Sequence, residues 1–411
     1  MNHESETAYQ GIYHGWTVVG AGFLSIAVEA SIWISGSLVL IPLAKDTGWS
    51  RAEVSLGISF FVLGGGLWAP VVGSVIRKYG PRRVMPPAAL LLSAGLLLLS
   101  LTQSLLAFSL VMLLFVSVST IAIGSLGNYT AIQEWFAQKR GTALGLADSG
   151  ASLGIALLGP IIAQLLLLVG WRSTYQILAL IVLLLAPLHL LVQRRLPPPP
   201  RFEPTIHTAS RSVPRVRELL RQQKLWLILV GAFTISAAAQ LVVLHQGAYL
   251  DGQGFGPEVI ASALAVFGVV GVVGRIGFGW FADAIGTRKV FALLASCVVL
   301  GIGCLVLAGQ SGSVIPIYLY SILFGVSLGV PMVIFARETA NLYGSRLFGT
   351  IMGIVVMGGS LGGALGTAAA GLVFDFTGTY LGSFAAAAIA AILSLLCVLV
   401  LTRPNTRRNG S

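Results

Sequence analysis

Gly73-Ser-Val-Ile-Arg77-Lys-Tyr-Gly80-Pro-Arg82-Arg83 and Gly279-Trp-Phe-Ala-Asp283-Ala-Ile-Gly286-Thr-Arg288-Lys289 are two copies of one pattern, 206 residues apart. A second pair repeats at 208 residues: Gly141-Thr142-x-x-Gly145 with Gly150-Ala-Ser152-Leu153-Gly154, and Gly349-Thr350-x-x-Gly353 with Gly358-Gly-Ser360-Leu361-Gly362. Two unrelated motifs at nearly one offset divide the chain into two halves of the same build. Each half holds an even number of apolar runs, so both halves share one orientation and are related by an axis along the membrane normal.

Composition sets the solvent. Of 411 residues, 56% are hydrophobic and 9% charged, against about 25% charged in a soluble domain. Mean hydropathy is +0.90. So few charges cannot cover a water-soluble surface, and the continuous apolar runs exclude a transmembrane β-barrel. The reading is an all-α integral membrane protein with twelve transmembrane helices in two pseudo-symmetric six-helix halves. The spans are placed at 15–41, 53–77, 83–103, 105–135, 141–168, 171–193, 223–250, 257–283, 288–309, 313–341, 349–375 and 379–402. The halves are 1–194 and 223–411, joined by a polar, basic linker over 195–222 that opens with four prolines at 197–200.

Net charge is +11. In a soluble chain this would suggest nucleic acid; here it reports topology, because every basic residue except Lys45, Arg51, Arg172 and Arg275 falls on the face that carries both termini. The positive-inside rule makes that face, with both termini, cytoplasmic in a multi-pass protein of the cell membrane. The start, MNHESETAYQ, is polar and acidic, so no cleavable signal peptide is expected. Cys297, Cys304 and Cys397 lie inside apolar runs and offer neither a disulfide framework nor a metal spacing. No metal or cofactor is expected. The absence of a zinc spacing, an activated nucleophile and a P-loop argues against an enzyme.

The loop pattern at 279–289 resembles the G-x-x-x-D-x-x-G-x-R-K/R signature of the major facilitator superfamily; the copy at 73–83 departs from it, with Arg77 in place of Asp. A narrower resemblance lies in Tyr13-His14-Gly15-Trp16 and in Trp135-Phe136-Ala-Gln-Lys139-Arg140-Gly141-Thr-Ala-Leu-Gly145. These are similar to motifs of the monocarboxylate transporter branch, which includes the oxalate/formate exchangers. The resemblance implies a secondary carrier in which two halves rock about a central site. It implies gating roles for Asp283, Arg288, Lys289, Arg82, Arg83 and Arg140, and an essential arginine on span eight, where this chain has Arg275. Many members carry an Asp four residues before that arginine; here the position is Gly271.

Ionisable residues within spans are costly and mark function. Arg275 stands among small apolar residues about 12 Å from the Asp283 end of its span. Its planar, permanently charged fork matches a carboxylate, which makes it the candidate substrate anchor. Asp148 lies at similar depth on span five and could bind a coupling proton, offset Arg275 or contact the substrate. Glu29 is the alternative proton carrier. It shares one helical stripe with Trp33 and Ser37, a face poorly suited to lipid and therefore expected to line the cavity, which makes Trp33 a candidate substrate contact. Asn128 and Tyr129 on span four are level with Arg275 and can donate to a carboxylate, or can serve helix packing. His245 on span seven is a candidate second substrate donor or pH-sensitive group; it lies nearer the other end, so a gate or outer-cavity role fits as well as substrate contact. Phe324 is either an apolar wall or a core aromatic. The reading is a monomeric proton symporter of a small monocarboxylate such as lactate or pyruvate. Its alternatives are an exchanger of the oxalate/formate type and a proton-coupled exporter of another small solute.

Overall fold

A computed structural model describes residues 3–136, 140–193, 221–327 and 330–402; within it the side chains of 3–13, 133–134, 140–142, 275–284 and most of 332–350 are outside the description. Residues 195–220 of the linker and the last nine residues therefore lie outside the described residues.

Among the described residues every regular element is helical. The N-terminal half contains α1 (His3–Thr47), α2 (Arg51–Tyr79), α3 (Pro81–Leu101), α4 (Leu105–Val111), α5 (Ser117–Ile123), α6 (Ser125–Trp135), α7 (Arg140–Leu153), α8 (Gly159–Leu183) and α9 (Leu185–Val192). The C-terminal half contains α10 (Gln223–Val243), α11 (Gln246–Gly252), α12 (Pro257–Ile285), α13 (Thr287–Ser311), α14 (Ile315–Ser327), α15 (Val330–Thr377) and α16 (Leu381–Leu401). Short π-helical turns at Met112–Val116 and Gly154–Leu158 join α4 to α5 and α7 to α8.

Ten helical stretches are long and apolar enough to cross a bilayer. Two details bring the number of crossings to twelve. The stretch Ala143–Val192 counts as one span, yet Gly170 inside it has φ +76° and ψ 171°, a turn between two crossings. The other is α14, shorter and apolar, which is continued by the first part of α15. That helix must double back: Phe335 packs against Gly231 of α10, and 23 residues later Gly358 faces Leu229, only two residues away on the same helix. Gln193, Gln222 and Thr402 end helices at one face, here termed the linker end; the opposite face is the distal end.

The repeated glycines explain why the halves look alike. Small residues let backbones approach where lipid supplies no hydrophobic drive for helix association. A Cβ on Gly154 would lie 2.2 Å from the Ala27 carbonyl oxygen, and one on Gly362 would lie 2.2 Å from that of Phe233. These are equivalent contacts, the turn after α7 on α1 and α15 on α10, displaced by the offsets of the sequence repeat. The serine of each motif faces the opposite half instead. Ser152 meets Gly271 of α12, and Ser360 meets Gly66 of α2. One motif thus builds the seam within each half and the seam between them.

Candidate functional site

Span four is broken at Gly124, which has φ −85° and ψ −141° between α5 and α6. A broken helix in a bilayer leaves backbone groups that must find partners. Two of the predicted residues supply them. Glu29 of α1 accepts from the Ser125 amide at 2.8 Å and from Ser125 Oγ at 2.9 Å, at the first residue of α6. Asn128 donates from Nδ2 to the carbonyls of Ile123 and Gly124, at 2.6 and 2.9 Å. Only glycine fits at 124, because a Cβ there would lie 2.3 Å from Glu29 Cδ. Asn128 is wholly buried and turned into the break, so its amide nitrogen serves packing in this conformation.

The next residue, Tyr129, points the other way. Its hydroxyl donates to Asp148 Oδ1 of α7. Both side chains are half-buried. Beside them, Leu146 is 51% exposed, and a Cβ on Gly145 would meet nothing within 4 Å.

Arg275 lies on α12, with its side chain outside the described residues. Its helical position is nevertheless informative. Gly271 faces Ser152, with 3.1 Å between an added Cβ and Ser152 Oγ. The helices α7 and α12 run in opposite directions. One turn from that contact toward the linker end leads to Asp148 on α7 and to residue 275 on α12. The two positions are therefore level, on facing helices of opposite halves.

The remaining candidates stand apart. Trp33 is about a dozen residues beyond the level of Asp148, or about 18 Å toward the distal end. It separates two narrow crevices. One lies between the halves, lined by Ser37, Ile58, Phe61, Gln240 and Leu244; the other lies within the first half, beside Ser35, Leu96 and Tyr175. His245 is wholly buried at the α10–α11 break; its Nε2 is 3.2 Å from the Thr367 carbonyl and its ring centroid 5.1 Å from that of Tyr380. Phe324 is placed in the core of the C-terminal half, against Phe267, Tyr320 and Gly301, which gives it a packing role and no cavity face here. Arg82, Arg83 and Arg288 are exposed at the linker end without an ion pair among the described residues. The side chains of Asp283 and Arg140 lie outside the described residues.

Residues 20–367 match the sequence profile of the Major Facilitator Superfamily. The chain belongs to that superfamily. It is a multi-pass membrane transporter, and its relatives are transporters rather than enzymes. It is 28% identical over 372 residues to the MFS-type transporter YcxA of Bacillus subtilis, covering 89% of this chain and 90% of that protein. It is 25% identical over 387 residues to monocarboxylate transporter 13 of Rattus norvegicus, covering 93% and 87%. The crystal structure of a point mutant of the nucleoside transporter NupG superposes with a TM-score of 0.75 at 12% identity, covering 95% of this chain and all of that one. That likeness concerns the fold alone.

One acid and a polar corner of this transporter have no counterpart among the candidates the sequence offers. Glu338 accepts from Thr287 Oγ1 at 2.8 Å near the linker end. At the distal end Arg51, Asp375 and Tyr380 join the two halves. In the sequence Arg51 stands out only as one of the few basic residues off the majority face.

Proposed function

We propose that this transporter carries a small monocarboxylate together with a proton, with alternating access of one central site to the two faces of the cell membrane. The observation that carries the reading is the level placement of Asp148 and position 275 on facing helices of opposite halves, with the Tyr129 hydroxyl already on the Asp148 carboxylate. Arg275 holds the substrate carboxylate, and Asp148 takes the proton. One proton and one monoanion leave the site electrically unchanged, so the loaded carrier can reorient while the half-loaded carrier, with a buried charge uncompensated, resists. Glu29 is the weaker proton carrier, because its carboxylate holds the start of α6. The similarity to monocarboxylate transporters supports the substrate class. The excess of basic residues at the linker end supports a cytoplasmic position for both termini.

The test is uptake of labelled lactate and pyruvate into proteoliposomes, with and without an inward proton gradient, for the parent and Arg275→Ala. Uptake stimulated by the gradient and reduced more than about 100-fold in Arg275→Ala is expected, since losing a desolvated ionic anchor costs about 3–5 kcal/mol. Uptake that ignores the gradient but needs an anion on the far side would replace symport by exchange. No uptake of either acid would overturn the substrate class.

A further inference from the structure

The distal closure rests on one corner of the molecule. Helix α2 starts with a capping box: Ser50 Oγ accepts from the Glu53 amide at 3.2 Å, and Glu53 Oε2 accepts from the Ser50 amide at 2.8 Å. Another early amide, at Ala52, has its acceptor in the other half. Asp375 Oδ2 lies 3.0 Å from it. The neighbouring residue reaches back across the same boundary. Arg51 donates from Nη1 to Tyr380 Oη at 3.0 Å and lays its guanidinium over Phe374, with Cζ 3.9 Å from the ring centroid. Gly371, one turn before Asp375, permits the approach, since a Cβ there would lie 2.8 Å from Ala52 Cα. His245 braces the corner from inside, between Tyr380 and the Thr367 carbonyl.

We infer that Arg51 and Asp375 form the distal gate of the carrier, a two-part clasp that parts each time the central site faces the distal side. The inference rests on the alternating-access part of the proposed function and not on the substrate. Its chemistry suits a gate. The carboxylate caps the positive end of α2, and the guanidinium gains both a hydroxyl acceptor and a ring face. Each bond joins opposite halves, so neither survives their separation. Asp375 is exposed and Arg51 half-buried, so water can replace each lost partner when the clasp opens. A fully buried pair would lock the closed state instead. The linker end differs: a Cβ at Gly145 or Gly353 would meet nothing within 4 Å, and Arg82, Arg83 and Arg288 stand exposed. This conformation is thus fastened distally.

A single reporter thiol tests the gate without a substrate. Cys297, Cys304 and Cys397 are changed to serine, and Ser37→Cys places a thiol beside the crevice between the halves. A charged, membrane-impermeant methanethiosulfonate is then added to right-side-out and inside-out vesicles. Arg51→Ala and Asp375→Ala should each raise the labelling rate from the distal side about tenfold, the shift expected when one charge-assisted hydrogen bond is lost from the closed state. Asp375→Asn keeps an acceptor for the Ala52 amide but loses its charge, so its rate should fall between those of the parent and Asp375→Ala. An unchanged distal rate in the Arg51→Ala/Asp375→Ala double variant, with the parent's thermal midpoint retained, would overturn the gate. Should that variant fail to fold, Arg51→Lys alone decides. It keeps the charge but loses the planar stack, so a raised distal rate supports the clasp and the parent rate overturns it. Monocarboxylate uptake is measured separately. Clasp-dependent labelling without uptake removes the proposed substrate and leaves the gate, whereas uptake with clasp-independent labelling does the reverse.

Discussion

Glu29 and Asp148 are both acids within apolar spans, and their surroundings differ in kind. Glu29 receives two hydrogen bonds from Ser125, and its carboxyl carbon fills the space that a side chain at Gly124 would take. It closes the broken end of α6 as an N-cap does, but from another helix. Asp148 receives the Tyr129 hydroxyl at a half-buried place on α7, next to exposed Leu146. The first acid is part of the scaffold that holds span four in two pieces. The second sits at the level of position 275 with a donor attached. An ionisable residue in a membrane span can therefore stand in two kinds of place that sequence alone does not separate: at a helix break, as Glu29 does, or beside the seam between the halves, as Asp148 does.

The comparison can be broken most directly at Asp148. Asp148→Asn should abolish stimulation of uptake by a proton gradient while leaving the thermal midpoint within a few degrees of the parent. A variant that keeps full gradient stimulation would move the proton elsewhere. The next largest effect is expected at Glu29. Glu29→Ala strands the Ser125 amide beside Gly124, and a buried donor without a partner costs about 1–3 kcal/mol. Thermal unfolding in detergent should show that loss, and Glu29→Gln should recover most of it because its amide oxygen can accept the same bond. If Glu29→Ala unfolds like the parent but loses gradient stimulation, the two acids exchange roles.

The architecture was legible because it is periodic and repeated. Glycines 206 or 208 residues apart turned out to make equivalent contacts, Gly154 on Ala27 and Gly362 on Phe233. The pairing of Tyr129 with Asp148 was legible as depth, since both positions count to the same level from the linker end. The partner of Glu29 was not, because Ser125 lies 96 residues away and the break at Gly124 falls inside an unbroken apolar run. Arg51 appeared only as an exception to the charge bias. Its role depends on the start of α2 meeting the end of α15, a tertiary contact that no local pattern announces. Phe324 shows the converse limit. Its type suits a cavity wall and a core equally, and only the packing of α12 and α13 around it places it in the core.

Smaller effects sharpen the same contrast. Tyr129→Phe removes one donor from Asp148 and leaves the ring, so uptake should fall about tenfold, the worth of one hydrogen bond to a charged group. The thermal midpoint should hardly move, since the pair bridges only α6 and α7. A fall in stability without a fall in uptake would make the pair a packing contact like that of Glu29. Phe324→Leu should act in the opposite sense. Phe324 is 2% exposed and packed among Phe267, Tyr320 and the Gly301 backbone. Shortening it removes stacking and leaves a small void, at a cost of about 1–2 kcal/mol. The KM for any transported acid should stay at the parent value, because the ring faces its own half's core and not the seam where Asp148 and position 275 meet. A raised KM at unchanged thermal stability would put Phe324 at the substrate in some other conformation, and would show that the core of the C-terminal half repacks during transport.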